Sequence, residues 1–600
     1  MSAPSIDVAQ PKLIYTANLN ELSHAGTPVD IRSTATIERY RFVECAPLVK
    51  DGTLRIHEYT KLPKLYTAVS YVWRGNKPLP DDKSPTFTVQ GSEEYDPISI
   101  QVVQDACRAA TQRNTDLLWL DRLSIIQSNE DDSAWQLTNM YDIYRFSDLC
   151  VVIPGGLSRL TDLGEVTPWI HRGWTLQEAV APPNVEVLFL WDRGRFKARP
   201  SYDSSGFTAY ITEVAKGRCA MAPLWLILEA SVSGTIYLVD EDVVRVLGQY
   251  SGVSIFGVGP KGYTPNDFRF VMPNIAMLAA VVSRSMQEDH DRRHYCLWKC
   301  VLMRSTRDPA DMIFSAMGMF GVRLDPKKFN VNDRVRPTIA LAQEILKKGG
   351  RANWLGISFH SPPCPQLSTF PTFPKTSQGG EDQKALIRTP TGYVEIFRLM
   401  DNEYPISAFF SSMPTGEMDT DGYLTFSAKS MPVTLLPASN APTWDRQKSW
   451  WILGHIKTTC GDIWQTISSP PEVATFDSSS KAFAVLLGCF FSYHPTQTLA
   501  YDCDNIRGFI IKQHAPGKFH IDSYFMLTIK ATDWVKGWQE HQFCIGGPDK
   551  LETVYADEPL TEVDPTDIID MPIPDKATTF ASIDSVHVAE LAKAASLNRN

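Results

Sequence analysis

Long apolar runs are missing from this 600-residue chain. The two best stretches, "MAPLWLILEASV" at 221–232 and "FVMPNIAMLAAVV" at 270–282, are respectively broken by Glu229 and shorter than the roughly 18 residues a membrane span needs. The first twenty residues, "MSAPSIDVAQPKLIYTANLN", lack the basic start and apolar core of a signal peptide. Positive charge is also scarce, with 58 Lys and Arg against 68 Asp and Glu, a net charge of -10. That balance supplies no electrostatic footprint for nucleic acid or for an anionic membrane surface. Cysteine is sparse and odd in number, eleven residues spread from Cys45 to Cys544, which argues against a disulfide framework. The expectation is a reduced protein of the cell interior, cytoplasmic, without membrane or nucleic-acid partners. No G-x-S-x-G, H-E-x-x-H or paired C-x-x-C occurs, so serine-hydrolase and zinc-enzyme chemistry have no starting motif.

What is present is an ordinary globular composition, 43% hydrophobic and 21% charged, in a chain long enough for several cores. Residues 1–60 are weakly patterned. Over 61–195 apolar runs alternate with helical stripes, the pattern of an α/β domain with a parallel sheet and crossover helices. "YTAVSYVW" (66–73), "LLWLDRLSII" (117–126), "LCVVIP" (149–154) and "VEVLFLW" (185–191) read as strands. Val102, Val103, Ala106 and Ala110 mark one helix face; Leu137, Met140, Tyr141 and Tyr144, behind the acidic start Glu130-Asp131-Asp132, mark another. Residues 196–360 are expected to be mainly helical, and 361–383, rich in Pro, Ser, Thr and Gly, to be a linker or long loop. From 384 to 548 short β-prone runs predict a β-rich sandwich or barrel. Residues 549–600 form an acidic tail with a short helix candidate; nine acidic groups stand against one lysine between 549 and 575.

Two weaker patterns are set aside on physical grounds. "GVGPKG" (257–262) has the G-x-G-x-x-G spacing, but Pro260 lies inside it and no helix opens after it, which favours a turn over a dinucleotide loop. His290, His294, Cys296 and Cys300 would fall in two pairs about 160° apart on one helix at roughly 100° per residue. That is a poor tetrahedral site, and no metal is expected.

Four motifs occur in order: "SYVW" at 70–73, "LLWLDRLSIIQ" at 117–127, "MYDIY" at 140–144 and "HRGWTLQE" at 171–178. In order and spacing they resemble the fungal heterokaryon-incompatibility (HET) domain, whose pattern is approximately S-Y-x-W-G, W-I-D-x-x-C-I-N-Q, M-x-x-I-Y and R-x-W-T-x-Q-E. "RSTRDPADMIFSAMGMFGV" (304–322) resembles the segment that commonly follows it. The resemblance implies non-self recognition and programmed cell death, a TIR-like fold and self-association of that domain. Three positions depart from the pattern: Arg74 stands where it has Gly, which comes one place late as Gly75; Ser124 replaces Cys; Ile126 replaces Asn.

TIR-like enzymes cleave NAD at the nicotinamide–ribose bond with a helical glutamate, and Trp174 and Glu178 repeat their W-x-x-x-E spacing. The resemblance therefore casts Glu178 as the catalytic carboxylate and NAD as substrate rather than cofactor. A carboxylate beside the sugar stabilises the cation-like ribose, as in glycoside cleavage. Ser70, Tyr71, Trp73 and Asp121, at the expected carboxyl ends of strands, would line the substrate with Trp174 stacking on a base and Arg172 meeting a phosphate. The same residues also have a structural reading, with Trp filling core, Asp121 capping a turn or pairing with an arginine, and Ser70 and Tyr71 satisfied by a neighbouring loop. On that reading the domain is a non-catalytic interaction module relaying recognition to an unidentified protein partner.

Overall fold

A computed structural model describes residues 11–200, 207–240, 246–257, 272–283, 289–376, 384–389, 392–406, 413–437, 454–467, 481–492 and 506–548. By internal contacts the chain divides into two units: the first comprises Met1–Phe268, Phe314–Phe329 and Gly379–Gln383, the second the remainder.

The strands of the first unit are β1 Lys12–Asn18, β2 Tyr40–Glu44, β3 Thr53–Tyr59, β4 Thr67–Tyr71, β5 Thr86–Phe87, β6 Ile98–Ser99, β7 Leu117–Trp119, β8 Leu149–Ile153, β9 Val185–Leu190, β10 Phe196–Arg199, β11 Ala209–Ala215, β12 Cys219–Pro223, β13 Thr235–Val239 and β14 Val246–Ser251. The helices are α1 Leu19–Ala25, α2 Cys45–Asp51, α3 Ile100–Gln112, α4 Asp121–Ser124, α5 Glu130–Arg145, α6 Thr175–Val180 and α7 Leu224–Ser233. Twelve strands form one sheet in the order β1-β3-β2-β7-β4-β8-β9-β12-β11-β10-β13-β14.

Only the middle of that sheet, β7-β4-β8-β9, is parallel. Its flanks are antiparallel, so the all-parallel expectation is corrected to a large mixed sheet. The weakly patterned residues 1–60 supply three of its strands, because β1 to β3 are short and joined by seven-residue helices that interrupt any long period. The region 196–360, expected mainly helical, begins with the five strands β10 to β14 before helices Pro273–Val282, His290–Leu302 and Val335–Lys347.

Successive residues of the central strands serve opposite cores. Val43, Val69, Leu118 and Val151 pack with α3 residues Val103, Ala106 and Ala110. Their neighbours Phe42, Ala68, Trp119 and Cys150 pack with α5 residues Met140, Ile143 and Tyr144. A strand covered on both faces needs apolar residues at every position, hence continuous runs rather than alternation. The run "LLWLDRLSII" is a strand only through Trp119; at Asp121 it turns into α4.

In the second unit, strands Ala482–Ser492, Ile506–Ala515, Lys518–Leu527, Gln539–Gly546 and Tyr423–Leu435 pair successively, and the last pairs back with the first. The ring closes, as a barrel must, and closure removes open edges. A buried group of four charges ties helix His290–Leu302 to this sheet: Lys299 pairs with Asp401, and Arg507 with both Asp401, at 2.7 Å, and Glu403. The two cations hold the Asp401 carboxyl well below its usual range against the opposing effect of burial. The stretch expected as a linker carries strands Pro363–Cys364, Leu367–Pro371 and Lys375–Thr376, with Leu367–Pro371 buried throughout, and its residues 377–383 lie outside the described set. So do 258–262 of "GVGPKG" and the acidic tail.

Candidate functional site

The carboxyl ends of the central strands hold most of the residues singled out above, in two groups. β4 delivers both, because consecutive residues of a strand face opposite ways. On the α5 and α6 side, Ser70 is wholly buried and its hydroxyl donates to Glu178 Oε2 at 2.5 Å. Trp169 Nε1 donates to Ser70 Oγ at 2.8 Å. Since the indole occupies the oxygen as a donor, the serine proton is directed to the carboxylate. Glu178, in the first turn of α6, is 7% exposed. Burial first, then its negative charge, pushes the Cys150 thiol up.

The second group surrounds Asp121, which follows β7 and opens α4. Its carboxylate accepts from the Tyr71 hydroxyl, from Trp73 Nε1 at 2.6 Å and from the Arg122 backbone N–H at 2.6 Å. Burial raises the Asp121 carboxyl despite these donors, and burial together with Asp121 raises the Tyr71 hydroxyl. Tyr144 lies between the groups. Its hydroxyl donates to Val69 O at 3.0 Å and is pushed well up by burial and then by the negative charges of Glu178 and Asp121.

The seven predicted residues are therefore not gathered around one hollow. Ser70 with Glu178, and Tyr71 with Trp73 and Asp121, form the two groups; Trp174 packs, partly buried, against the α5-side core. Arg172 is half-buried just before α6, and its carbonyl accepts from the Thr175 hydroxyl at 2.8 Å. Sequence reasoning missed Trp169, Tyr144 and Asp132. In the sequence Tyr144 marks one position of a helical stripe, and Asp132 belongs to an acidic helix start.

The three departures from the motif pattern have local physical accounts. A Cβ on Gly75 would overlap the Gly155 carbonyl, and Asn76 N donates to that carbonyl at 2.8 Å. The close backbone crossing thus falls at 75, one place late, which leaves position 74 free for a side chain. Arg74 places its guanidinium 5.3 Å from the centre of the Tyr95 ring, which in turn meets Trp73 edge-on. Ser124 donates from its hydroxyl to Arg41 O at 2.7 Å, while Arg41 returns a bond to Ser124 O at 2.7 Å. Arg41 also grips the fully buried Asp132 through both of its terminal nitrogens, each at 2.9 Å. At 126 the backbone N–H bonds Asp132 Oδ2 at 2.9 Å, so the side chain is free to be the apolar Ile126. Arg122 fastens the loop before α3 through Ser92 and Asp96 O.

No group of three or more His, Cys, Asp or Glu suited to a metal ion occurs among the described residues. His290, His294, Cys296 and Cys300 share helix His290–Leu302; the two histidine rings are 6.4 Å apart, and burial pushes the Cys300 thiol up to about 12. No helix among the described residues is long and apolar enough to cross a membrane.

Residues 66–164 match the family model described as heterokaryon incompatibility protein (HET). The matched span contains Ser70, Tyr71, Trp73 and Asp121 and stops short of Arg172, Trp174 and Glu178. No curated protein and no solved structure matches the chain.

Proposed function

We propose, from the match of residues 66–164 to the heterokaryon-incompatibility family model, that the protein is a fungal effector of non-self recognition and programmed cell death whose first unit hydrolyses NAD in a TIR-like manner. The observation that carries this reading is the bond from Ser70 Oγ to Glu178 Oε2, 2.5 Å, which fixes a carboxylate at the carboxyl end of the central strand. Ligands of open α/β sheets bind there. In the proposed reaction the bond between ribose C1′ and the nicotinamide nitrogen breaks, and its electron pair leaves with nicotinamide. Glu178 stabilises the positive charge on the ribose, and water adds at C1′ and loses a proton. Ser70 and Trp169 orient that carboxylate, while Tyr71, Trp73 and Asp121 form the separate group on the other side of β4. Association between copies of the domain exposes Glu178, which is otherwise 7% exposed.

Purified protein, alone and fused to an oligomeriser, is incubated with NAD and free nicotinamide is measured. Release by the wild type and loss of at least about a hundredfold of it in Glu178→Gln, at unchanged melting temperature, are the expected results. The burial of Glu178 behind Ser70 favours a second reading, a non-catalytic module that relays recognition to a protein partner. That reading prevails if wild type and variant both leave NAD intact in assembled form while the protein still causes death on overexpression.

A further inference from the structure

On the sheet face that carries α3, away from Ser70 and Glu178, a cavity of about 380 Å³ is lined by Arg113, Arg195, Tyr210, Thr212 and Pro223. We propose that it binds an organic phosphate, independently of any activity at Glu178. The volume is at the small end of the roughly 300–1,000 Å³ typical of small-molecule sites.

The strand register explains why cations collect there. Lys197 lies directly opposite Tyr210 across the β10–β11 ladder, so the two share a face, and Arg195, two residues earlier, lies on that face as well. Tyr210 and Thr212 alternate along β11, and Thr212 lies opposite Met221 of the α3-side core, which fixes the face. Arg113 reaches the cavity from the end of α3, where the neighbouring Gln112 bonds Glu213 O at 2.8 Å. Two cations, Arg113 and Arg195, therefore line one hollow in a protein of net charge -10, with Lys197 on the same strand face.

Arg113 pairs with Glu186, which lies beside Pro223 in the β9–β12 register. Arg195 makes no ion pair among the described residues; its guanidinium carbon lies over the Tyr210 ring, 4.2 Å from the centroid. Held over the ring by the cation–π attraction, the guanidinium keeps N–H donors for bidentate contact with phosphate oxygens. The Tyr210 and Thr212 hydroxyls make no hydrogen bond among the described residues and add two donors. Pro223 and the phenol ring supply an apolar wall, which points to a phosphate carried on an organic body rather than to a bare ion.

The test is calorimetric titration of the full chain with AMP, ribose 5-phosphate, inorganic phosphate and uncharged adenosine. Saturable binding of AMP or ribose 5-phosphate, tighter than inorganic phosphate and absent for adenosine, is expected. Arg195→Ala, a change at an exposed side chain, should weaken it at least about tenfold without moving the melting temperature, and Glu178→Gln should leave it intact. The proposal is overturned if neither organic phosphate binds saturably below about 1 mM, if adenosine or inorganic phosphate binds as tightly as AMP, or if Arg195→Ala binds like the wild type. Loss of binding in Glu178→Gln with Arg195→Ala unaffected also overturns it, since the ligand would then occupy the other face.

Discussion

Asp121 is one carboxylate serving three donors, from Tyr71, Trp73 and the Arg122 backbone, and so holds the ends of β4 and β7 together. Asp121→Ala leaves those donors without their acceptor, at about 1–3 kcal/mol for each that stays buried. Chemical denaturation should show the midpoint falling with the slope unchanged; an unaltered midpoint would show that water replaces the carboxylate at no cost. Glu229 gives a pH signature. It lies alone on the apolar helix α7, and burial pushes its carboxyl up to about 7, from an ordinary 4.5. A group raised in the folded state contributes stability that is fully present below the unfolded value and lost as pH rises through the folded one. Melting temperature should therefore decline between about pH 4.5 and 7 in the wild type relative to Glu229→Gln, with the variant the more stable at pH 8. Parallel melting curves across that range would contradict the assignment. At this scale the sequence was partly legible: the motif residues Ser70, Tyr71, Trp73, Asp121 and Glu178 all make defined polar contacts. Which of them face the same way was not legible, because it depends on strand phase, and a run buried on both faces carries no alternation from which phase can be read.

Among elements, the Arg41–Asp132 pair is the chief fastening in the first unit. It joins β2 to α5 and, through Ser124 and Ile126, to the loop after β7. Both side chains are fully buried, so Arg41→Ala strands a charge and should cost about 3–5 kcal/mol. Arg41→Met combined with Asp132→Leu removes both charges and should recover most of the loss; thermal denaturation of the two variants checks this, and equal losses would show that the pair acts through its separate backbone contacts. The central strands and helices α3 and α5 were visible beforehand because each offers a long period or an unbroken apolar run. β1 to β3 were not, since five- to seven-residue strands separated by short helices are too brief to display a period. α4 was hidden for a different reason. Its residues continue the apolar character of β7, and the turn is imposed by Asp121 and by Arg122 reaching back to Ser92 and Asp96, partners distant in sequence.

For the molecule as a whole, the first unit is not continuous in the chain. Residues 314–329 return to it after an excursion into the second unit. They dock on α5: Gly318 sits against the Tyr141 ring so closely that a Cβ would overlap it, Arg323 pairs with Asp142, and Lys327 pairs with Asp131 at 2.7 Å. The two ion pairs are exposed and contribute little, so the ring contact dominates. A fragment ending at 268 should consequently melt lower than the same fragment joined to 305–330, and Gly318→Ala in the full chain should be destabilised by about 1–3 kcal/mol. Identical melting of the two fragments would show that α5 needs no cover.

This discontinuity sets a schedule on the ribosome. The 168 residues between α5 and its covering segment, 146–313, take about 8–34 s to be synthesised at about 5–20 residues per second. Throughout that interval Tyr141 waits on a nascent domain, so the first unit cannot mature ahead of translation of part of its neighbour. Premature termination between 268 and 314 would release a chain whose α5 lacks its cover, marked for chaperone or protease capture rather than for activity.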